Sequence, residues 1–432
     1  MSAIWIKNGR IIDPKTERDE LGDLFIVDGK IAEKPSQDIL DTAETIDAEG
    51  LVVAPGLVDL HVHFRVPGQK HKETIQSGTA AAAAGGFTSV VCMPNTSPSV
   101  DNTGTVQLIK DIVDKEAVVN VFPTGTITMG RQGEALAPTG SLSRSGIVAI
   151  TDGGKCVQNA GLMRRAVQYA HMFGIPVIDH CQDYQLSGDG VMNEGFVSTK
   201  LGLKGIHKGA EDIIVARDIV LSTHTKAHIH LQHISSKLAV EIIRRAKSRG
   251  INITAEATPH HIDLTDSEIE SFNTNFKMNP PLREEEDRLA LIEALEDGTI
   301  DCIATGHAPH TDYEKDVEFD YAPFGVIGLE TALSVTLGQF YHSKRLSLAK
   351  ALSFLTYKPS EILHLNKGTL GVGADGDVIL FDPDETWTPK FRGFFSKSSN
   401  SPWLDRELKG KVKKTIVSGK LVFDGSEILA NG

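Results

Sequence analysis

Apolar and polar residues follow two different rhythms along the chain. Over the first 55 or so residues, short apolar runs are broken by turn dipeptides: Ile4 to Lys7 meets Asn8-Gly9, and Leu24 to Val27 meets Asp28-Gly29 before Lys30-Ile31. Both central positions of a two-residue hairpin need positive φ, which Asn-Gly and Asp-Gly supply, so these runs are predicted to be hairpin strands. The same grammar returns near the other end. Asp377 to Phe381 stops at Asp382-Pro383, and Thr415 to Val417 turns at Ser418-Gly419 into Leu421 to Phe423. The two ends, 1–55 and 366–432, are predicted to share one small β-sandwich.

Between them, over 56–365, β-branched apolar runs alternate with helical stretches, the pattern of repeated βα units around a parallel sheet. Eight strands are predicted: Leu57 to Leu60, Thr88 to Met93, Val118 to Phe122, Ile147 to Ile150, Ile175 to Ile178, Ala227 to Leu231, Ile251 to Ala255 and Ile300 to Ala304. Helices such as Leu162 to Met172, Leu238 to Arg249 and Arg288 to Leu295 fill the gaps. The economical topology is an α/β fold in which eight strands close into a (β/α)₈ barrel, with an open doubly wound sheet as the runner-up. Ala80 to Gly86 reads as a small-residue helix end used for close packing.

Charge narrows the partners. A formal net charge of -13 repels polyphosphate, and no basic run with interleaved aromatics offsets it, which argues against nucleic acid. Lys409, Lys411, Lys413 and Lys414 read as the solvated face of an edge strand. Cys92, Cys156, Cys181 and Cys302 are widely spaced, so neither a disulfide framework nor a thiolate zinc site is expected, and a reducing cytoplasm fits. No signal-like start and no window of about 18 apolar residues point to export or a membrane.

Placed on the predicted strands, the polar residues converge. His61 and His63 follow the first strand, Asn95 the second, Asp152 the fourth, His180 the fifth, His233 the sixth, and His307 and His310 the eighth. That is the face where barrel enzymes build their sites. His61-Val62-His63 has period two, so both imidazoles point the same way at a strand end. Neutral imidazoles bind Zn²⁺ and its neighbours well, and His61, His63, His180 and His233 are the candidate ligands, with Asp152 beside them.

The segment Gly56 to Arg65, reading Gly-Leu-Val-Asp-Leu-His-Val-His-Phe-Arg, resembles the signature of the cyclic amidohydrolases. Pro67-Gly68, Met93-Pro94-Asn95-Thr96, Met278-Asn279-Pro280-Pro281-Leu282-Arg283 and Ala304-Thr305-Gly306-His307-Ala308-Pro309-His310 narrow the resemblance to bacterial dihydroorotases, over nearly the whole chain. The resemblance implies a metal-binding barrel flanked by a β-sandwich. It also implies a zinc-dependent interconversion of N-carbamoyl-L-aspartate and L-dihydroorotate in pyrimidine synthesis, with one or two ions. It implies substrate contacts from His63, Arg65, Asn95, Asn279 and His310, with Phe324-Gly325 closing over the ring. A homodimer is a further family expectation.

Two positions depart from the family pattern. Where relatives read Ala-Thr-Asp-His-Ala-Pro-His, Gly306 replaces the aspartate that moves the proton, so no catalytic residue is assigned. After the fourth strand, relatives read Asp-Asp-Gly and this chain reads Asp152-Gly153-Gly154, leaving the metal-bridging position to Gly153. Asp152 can stand in as a ligand only if the backbone shifts. Lys155, carboxylated, is the weaker substitute. His260 and His261 match a family segment and are read as packing or supporting residues, and Asp312 to Glu318 as a solvated loop or mobile cover. Three explanations compete: a homologue with a structural or partner-binding role, for instance organising aspartate carbamoyltransferase; an altered version of an active enzyme; and a mononuclear site on the four histidines. A hydantoinase is the remaining alternative, although it would carry a lysine at the fourth strand and has no use for Arg65.

Overall fold

Strands covered on both faces by helices must be apolar throughout, and Leu57–Val62 and Phe87–Cys92 are buried at every position. In the computed structural model, which describes residues 2–429, these two pair in parallel, and Asn120–Pro123 pairs with the second. Val177–Asp179, Ile229–Leu231, Ile253–Ala257 and Cys302–Ile303 form a second parallel set. Bridges from Ile150 to Gly125 and Val177, and from Val62 to His307, join the two sets into a closed ring. The eight predicted staves are therefore present as a barrel, and no open sheet edge is left for the doubly wound alternative.

The fourth stave, expected over 147–150, survives as single bridges at Ile150. Its backbone is bonded: Val148 donates to the Pro123 carbonyl and Ile150 to that of Pro176. Those two prolines have no N–H to return, so a regular ladder cannot propagate on either side. Helix starts are chemically marked. Asn159 caps Ala160–Met172, Ser236 caps Lys237–Lys247, and Thr74 and Ser77 cap each other at Ile75–Ala84. At Gly85 an added Cβ would stand 2.1 Å from the Leu329 carbonyl oxygen, which is the close approach the small-residue run permits.

The chain ends meet in one eight-stranded sheet. Ala3–Asp13 pairs with Arg18–Val27, Glu44–Asp47 and Val52–Pro55, and the last of these pairs with Val378–Trp387, which continues to Leu408–Val417 and Lys420–Phe423. Ile6, Ile26, Ile46, Val378, Leu380 and Ile416 form a core between its curled halves. The opposite face, with Ile379, Phe381 and Val412, joins the barrel core.

One expectation is corrected here. Asp28-Gly29 and Ser418-Gly419 make the expected hairpin turns with positive φ, whereas Asn8-Gly9 forms a bulge within one continuous strand. A Cβ at Gly9 would lie 2.4 Å from Val53 Cγ2, so the glycine is there for contact with the neighbouring strand. The lysine-rich segment 409–414 pairs with Val378–Trp387 on one side only, because pairing with Lys420–Phe423 begins at Thr415, so this stretch is the edge the lysine pattern predicts. Asp384 and Glu385 answer Lys409, Lys411 and Lys413 across the surface.

Candidate active site

At the C-terminal mouth of the barrel lies a cavity of about 240 Å³ lined by His61, His63, His180 and His233. Three separate strand ends deliver these imidazoles to it, His61 and His63 from one and His180 and His233 from two others, and their hydrogen bonds decide which nitrogen is offered. His61 Nδ1 lies 2.9 Å from Glu256 Oε1, and His63 Nδ1 lies 2.8 Å from Asn95 Oδ1. Both partners are acceptors, so each Nδ1 carries the proton and each Nε2 keeps its lone pair. His180 Nδ1 faces His233 Nε2 at 2.9 Å, and His233 Nδ1 is buried without a partner. His233 holds this place with φ of 33°, a backbone strain of the kind that collects at functional sites.

Burial favours the neutral rings. It brings His180 down to about 4 and pushes His63 and His233 well below their ordinary value. Neutral imidazole is the form that ligates metal, so the donor set fits a divalent cation. The arrangement is nevertheless not one four-nitrogen cage. His61 and His63 form one couple, with ring centroids 5.1 Å apart, and His180 and His233 another at 4.7 Å; His61 and His233 link them at 5.3 Å. Among the described residues, ligand atoms gather in groups of three or more only elsewhere, as at His230, Glu256 and Cys302. The geometry therefore offers two adjoining half-sites, and the ligand atoms of the four histidines do not gather into one group.

Asp152 does not join them. Its Oδ1 accepts from the backbone N–H of Ile127 at 2.9 Å and of Thr128 at 3.0 Å, and its Oδ2 accepts from Thr128 Oγ1 at 2.5 Å. Arg131 holds the carbonyls of Asp152 and Gly153 from outside. Asp152 and Lys155 line a neighbouring pocket, and neither lines the histidine cavity. The one-residue offset has turned the side chain to the other face of the strand end. Asp152→Ala is expected to cost about 3 kcal/mol of stability, since three hydrogen bonds to a buried charge are lost, with bound metal per chain unchanged. Urea unfolding with metal analysis checks this, and metal lost in step with the carboxylate would return Asp152 to the ligand set.

The two glycines leave room. A Cβ at Gly153 would make only ordinary contacts, 3.5 Å from Met93 Cβ and Pro94 Cδ. At Gly306 the nearest atoms are His260 Cε1 and Thr258 Cγ2 at 3.8 Å, with φ of 61°. Aspartate tolerates that backbone region better than most residues.

The other residues expected to contact substrate share this cavity. Arg65, Asn95, Asn279, His310, Phe324 and Gly325 all border the cavity. Arg65 is buried with φ of 61°, and its Nε donates to the Pro309 carbonyl at 3.2 Å. Its Nη1 has no hydrogen-bond partner among the described residues. Burial lowers its pKa to about 10, which leaves it charged at neutral pH. Lys72 Nζ stands 3.2 Å from His310 Nδ1, while Arg65 Nη2 at 3.2 Å and the Phe324 carbonyl at 3.0 Å share its Nε2. Burial first, then Arg65 and Lys72, bring His310 down to about 3. Asn279 is anchored through Gln182 Oε1 at 2.8 Å. Lys315 is tied to the Pro323 and Gly325 carbonyls, so the charged loop is pinned over the mouth.

Other expectations sort themselves by partner. His307 turns away to Glu73 at 3.3 Å. His261 is a packing residue held by Thr258 and the Pro280 carbonyl. His260 lines the cavity itself, with Nδ1 unpartnered. Gln182, Glu256 and Lys315 were missed in the sequence. Glu256 had a signal, a lone carboxylate inside an apolar strand, whereas the other two act through loops whose course the residues do not announce.

Comparison with known proteins extends this picture. Residues 50–239 match the family profile described as Dihydro-orotase-like. The chain is 50% identical over 423 residues to a dihydroorotase of Trichlorobacter lovleyi, covering 98% of this chain and 99% of that one. It is 51% identical over 421 residues to a dihydroorotase of Geotalea daltonii, covering 97% and 99%. Among solved structures, the L-hydantoinase (dihydropyrimidinase) of Arthrobacter aurescens superposes with a TM-score of 0.89 at 24% identity, over 100% of this chain and 98% of that one. At that identity the likeness concerns the fold, a barrel with its flanking β-layer.

Proposed function

Because the chain belongs to the dihydroorotase family, we propose that its cavity binds L-dihydroorotate and N-carbamoyl-L-aspartate and interconverts them as a cyclic amidohydrolase. The observation that carries the substrate assignment is Arg65, a buried guanidinium whose Nη1 has no partner among the described residues, bordering the same cavity as the imidazoles. A buried cation needs an anion, and a planar fork matches a carboxylate through two parallel hydrogen bonds. The hydantoinase reading gives that cation nothing to do.

His61 with His63, and His180 with His233, would each hold one divalent cation, and imidazole nitrogens suit zinc. Bound there, the metal supplies a polarised carbonyl and a hydroxide at neutral pH. The chain's own residues do the rest. Arg65 and Asn95 orient the substrate, the Phe324-Gly325 backbone closes over it, and Met278 and Val326 line the cavity with apolar surface.

The weak point is proton transfer. No carboxylate faces the half-sites from position 153 or 306, so we propose that this chain turns over slowly and binds metal less tightly than a site with carboxylates at both positions. Losing a general acid or base costs about 10² to 10⁴ in rate. The test is metal analysis joined to a ring-opening assay on L-dihydroorotate. Bound zinc with slow but saturable turnover supports the reading. Absence of both zinc and dihydroorotate binding at millimolar concentration would replace it with a structural role.

A further inference from the structure

Barrel interiors are ordinarily packed with branched apolar side chains. Here a polar chain runs through the interior instead. Glu256 is wholly buried and accepts from two imidazoles, His61 Nδ1 at 2.9 Å on Oε1 and His230 Nε2 at 3.1 Å on Oε2. His230 Nδ1 lies 2.9 Å from Thr254 Oγ1, which lies 2.7 Å from His228 Nε2. His230 and Thr254 are register partners on adjacent parallel strands, and Thr254 and Glu256 are two residues apart, so one strand face carries both.

Proton counting leaves one arrangement. A carboxylate only accepts, so His61 Nδ1 and His230 Nε2 both carry hydrogen. His230 Nδ1 must then accept, and the Thr254 hydroxyl gives it its single proton. That hydroxyl in turn accepts from His228 Nε2–H. Gln232 Nε2 stands 3.2 Å from His61 Nδ1 while its Oε1 is buried without a partner, so turning this amide adds a second acceptor to the same N–H. The His233 backbone N–H adds a third donor to Glu256, at 3.3 Å on Oε1, so both oxygens only accept.

We infer that Glu256 is the positioning residue for His61, and that His230, Thr254 and His228 set its orientation from behind. The carboxylate fixes the tautomer that offers His61 Nε2 to the cavity and places a permanent negative charge behind that ligand. This rests on reading His61 as a metal ligand.

Two substitutions separate the two effects. In Glu256→Gln the amide oxygen still accepts from His61, while its NH₂ donates to His230, whose tautomer and the Thr254 hydroxyl reverse. The tautomer of His61 is kept and the charge is lost. Glu256→Ala loses both. Zinc affinity, measured by competition with a chromogenic chelator, is expected to fall about 10-fold in Glu256→Gln and about 100-fold in Glu256→Ala. Thr254→Val, which breaks the chain behind His230 with three groups between it and the metal, is expected to fall severalfold. In the metal-free protein, nitrogen-15 spectra of labelled histidine are expected to show His61 as the Nδ1–H form in the parent and in Glu256→Gln. In Glu256→Ala a mixture is expected.

Zinc affinities within twofold of the parent in all three variants would overturn the inference, as would an Nε2–H form of His61 in the parent. Should Glu256→Ala fail to fold, Glu256→Gln and Thr254→Val decide. Should the parent bind no zinc, the proposed function falls first, and the His61 tautomer still judges Glu256.

Discussion

Installing aspartate at both Gly306 and Gly153 is expected to raise dihydroorotate turnover by about 10² to 10⁴, the factor a positioned acid or base contributes. The scaffold allows it. Neither added Cβ meets an atom closer than 3.5 Å, and the flanking ligands are already in place. The two changes should not act alike. Gly153→Asp restores an anion at the position that bridges metals in the family pattern, so its expected effect belongs to metal affinity and stoichiometry. Gly306→Asp adds the proton carrier, so its effect belongs to kcat.

Each single variant is expected to recover only a small part of the rate, and the pair more than their product, because a proton carrier is idle beside a poorly held ion. Steady-state kinetics with metal analysis on all four forms checks this. A double variant that binds two zinc ions per chain yet gains less than threefold in kcat would show that the glycines are not what limits the reaction. At Gly306, where φ is 61°, a stability cost of about 1 kcal/mol is expected alongside the gain.

These arguments show where reading residues in order succeeds and where it stops. His61-Val62-His63 was legible because a strand has period two, and a pair at that spacing must share a face. The barrel was legible for a related reason, since continuous apolar runs between amphipathic stretches admit few topologies. Asp152 was not, because a one-residue offset at a strand end reverses the side chain. The Thr128 and Ile127 donors that hold it come from a different loop. Asn8-Gly9 carried the right chemistry for positive φ and was used for a bulge, since turn residues specify a dihedral rather than a hairpin. Glu256 stood in plain view in Thr254-Ala255-Glu256-Ala257, and only the fold shows that His61 and His230 lie on either side of it.

Arg65→Gln is expected to lower kcat/KM by about 10² to 10³, the effect of losing two charge-assisted hydrogen bonds to a substrate carboxylate at 1.5 to 3 kcal/mol each, with part of the loss relieved by relaxation. Arg65→Lys keeps the charge and loses the planar fork, so a fall of about tenfold is expected. The split between constants is informative. Arg65 touches the part of the substrate that does not react, so a uniform loss of binding should raise KM and leave kcat nearly unchanged. The comparison is best made with aspartate at 153 and 306, where turnover is measurable, and repeated as dihydroorotate binding by calorimetry on the unaltered chain. A kcat that collapses while binding stays intact would place Arg65 at the reacting bond. Because Arg65 Nη2 stands 3.2 Å from His310 Nε2, losing its charge also removes one of the influences that hold His310 low, and the pKa of His310 should rise.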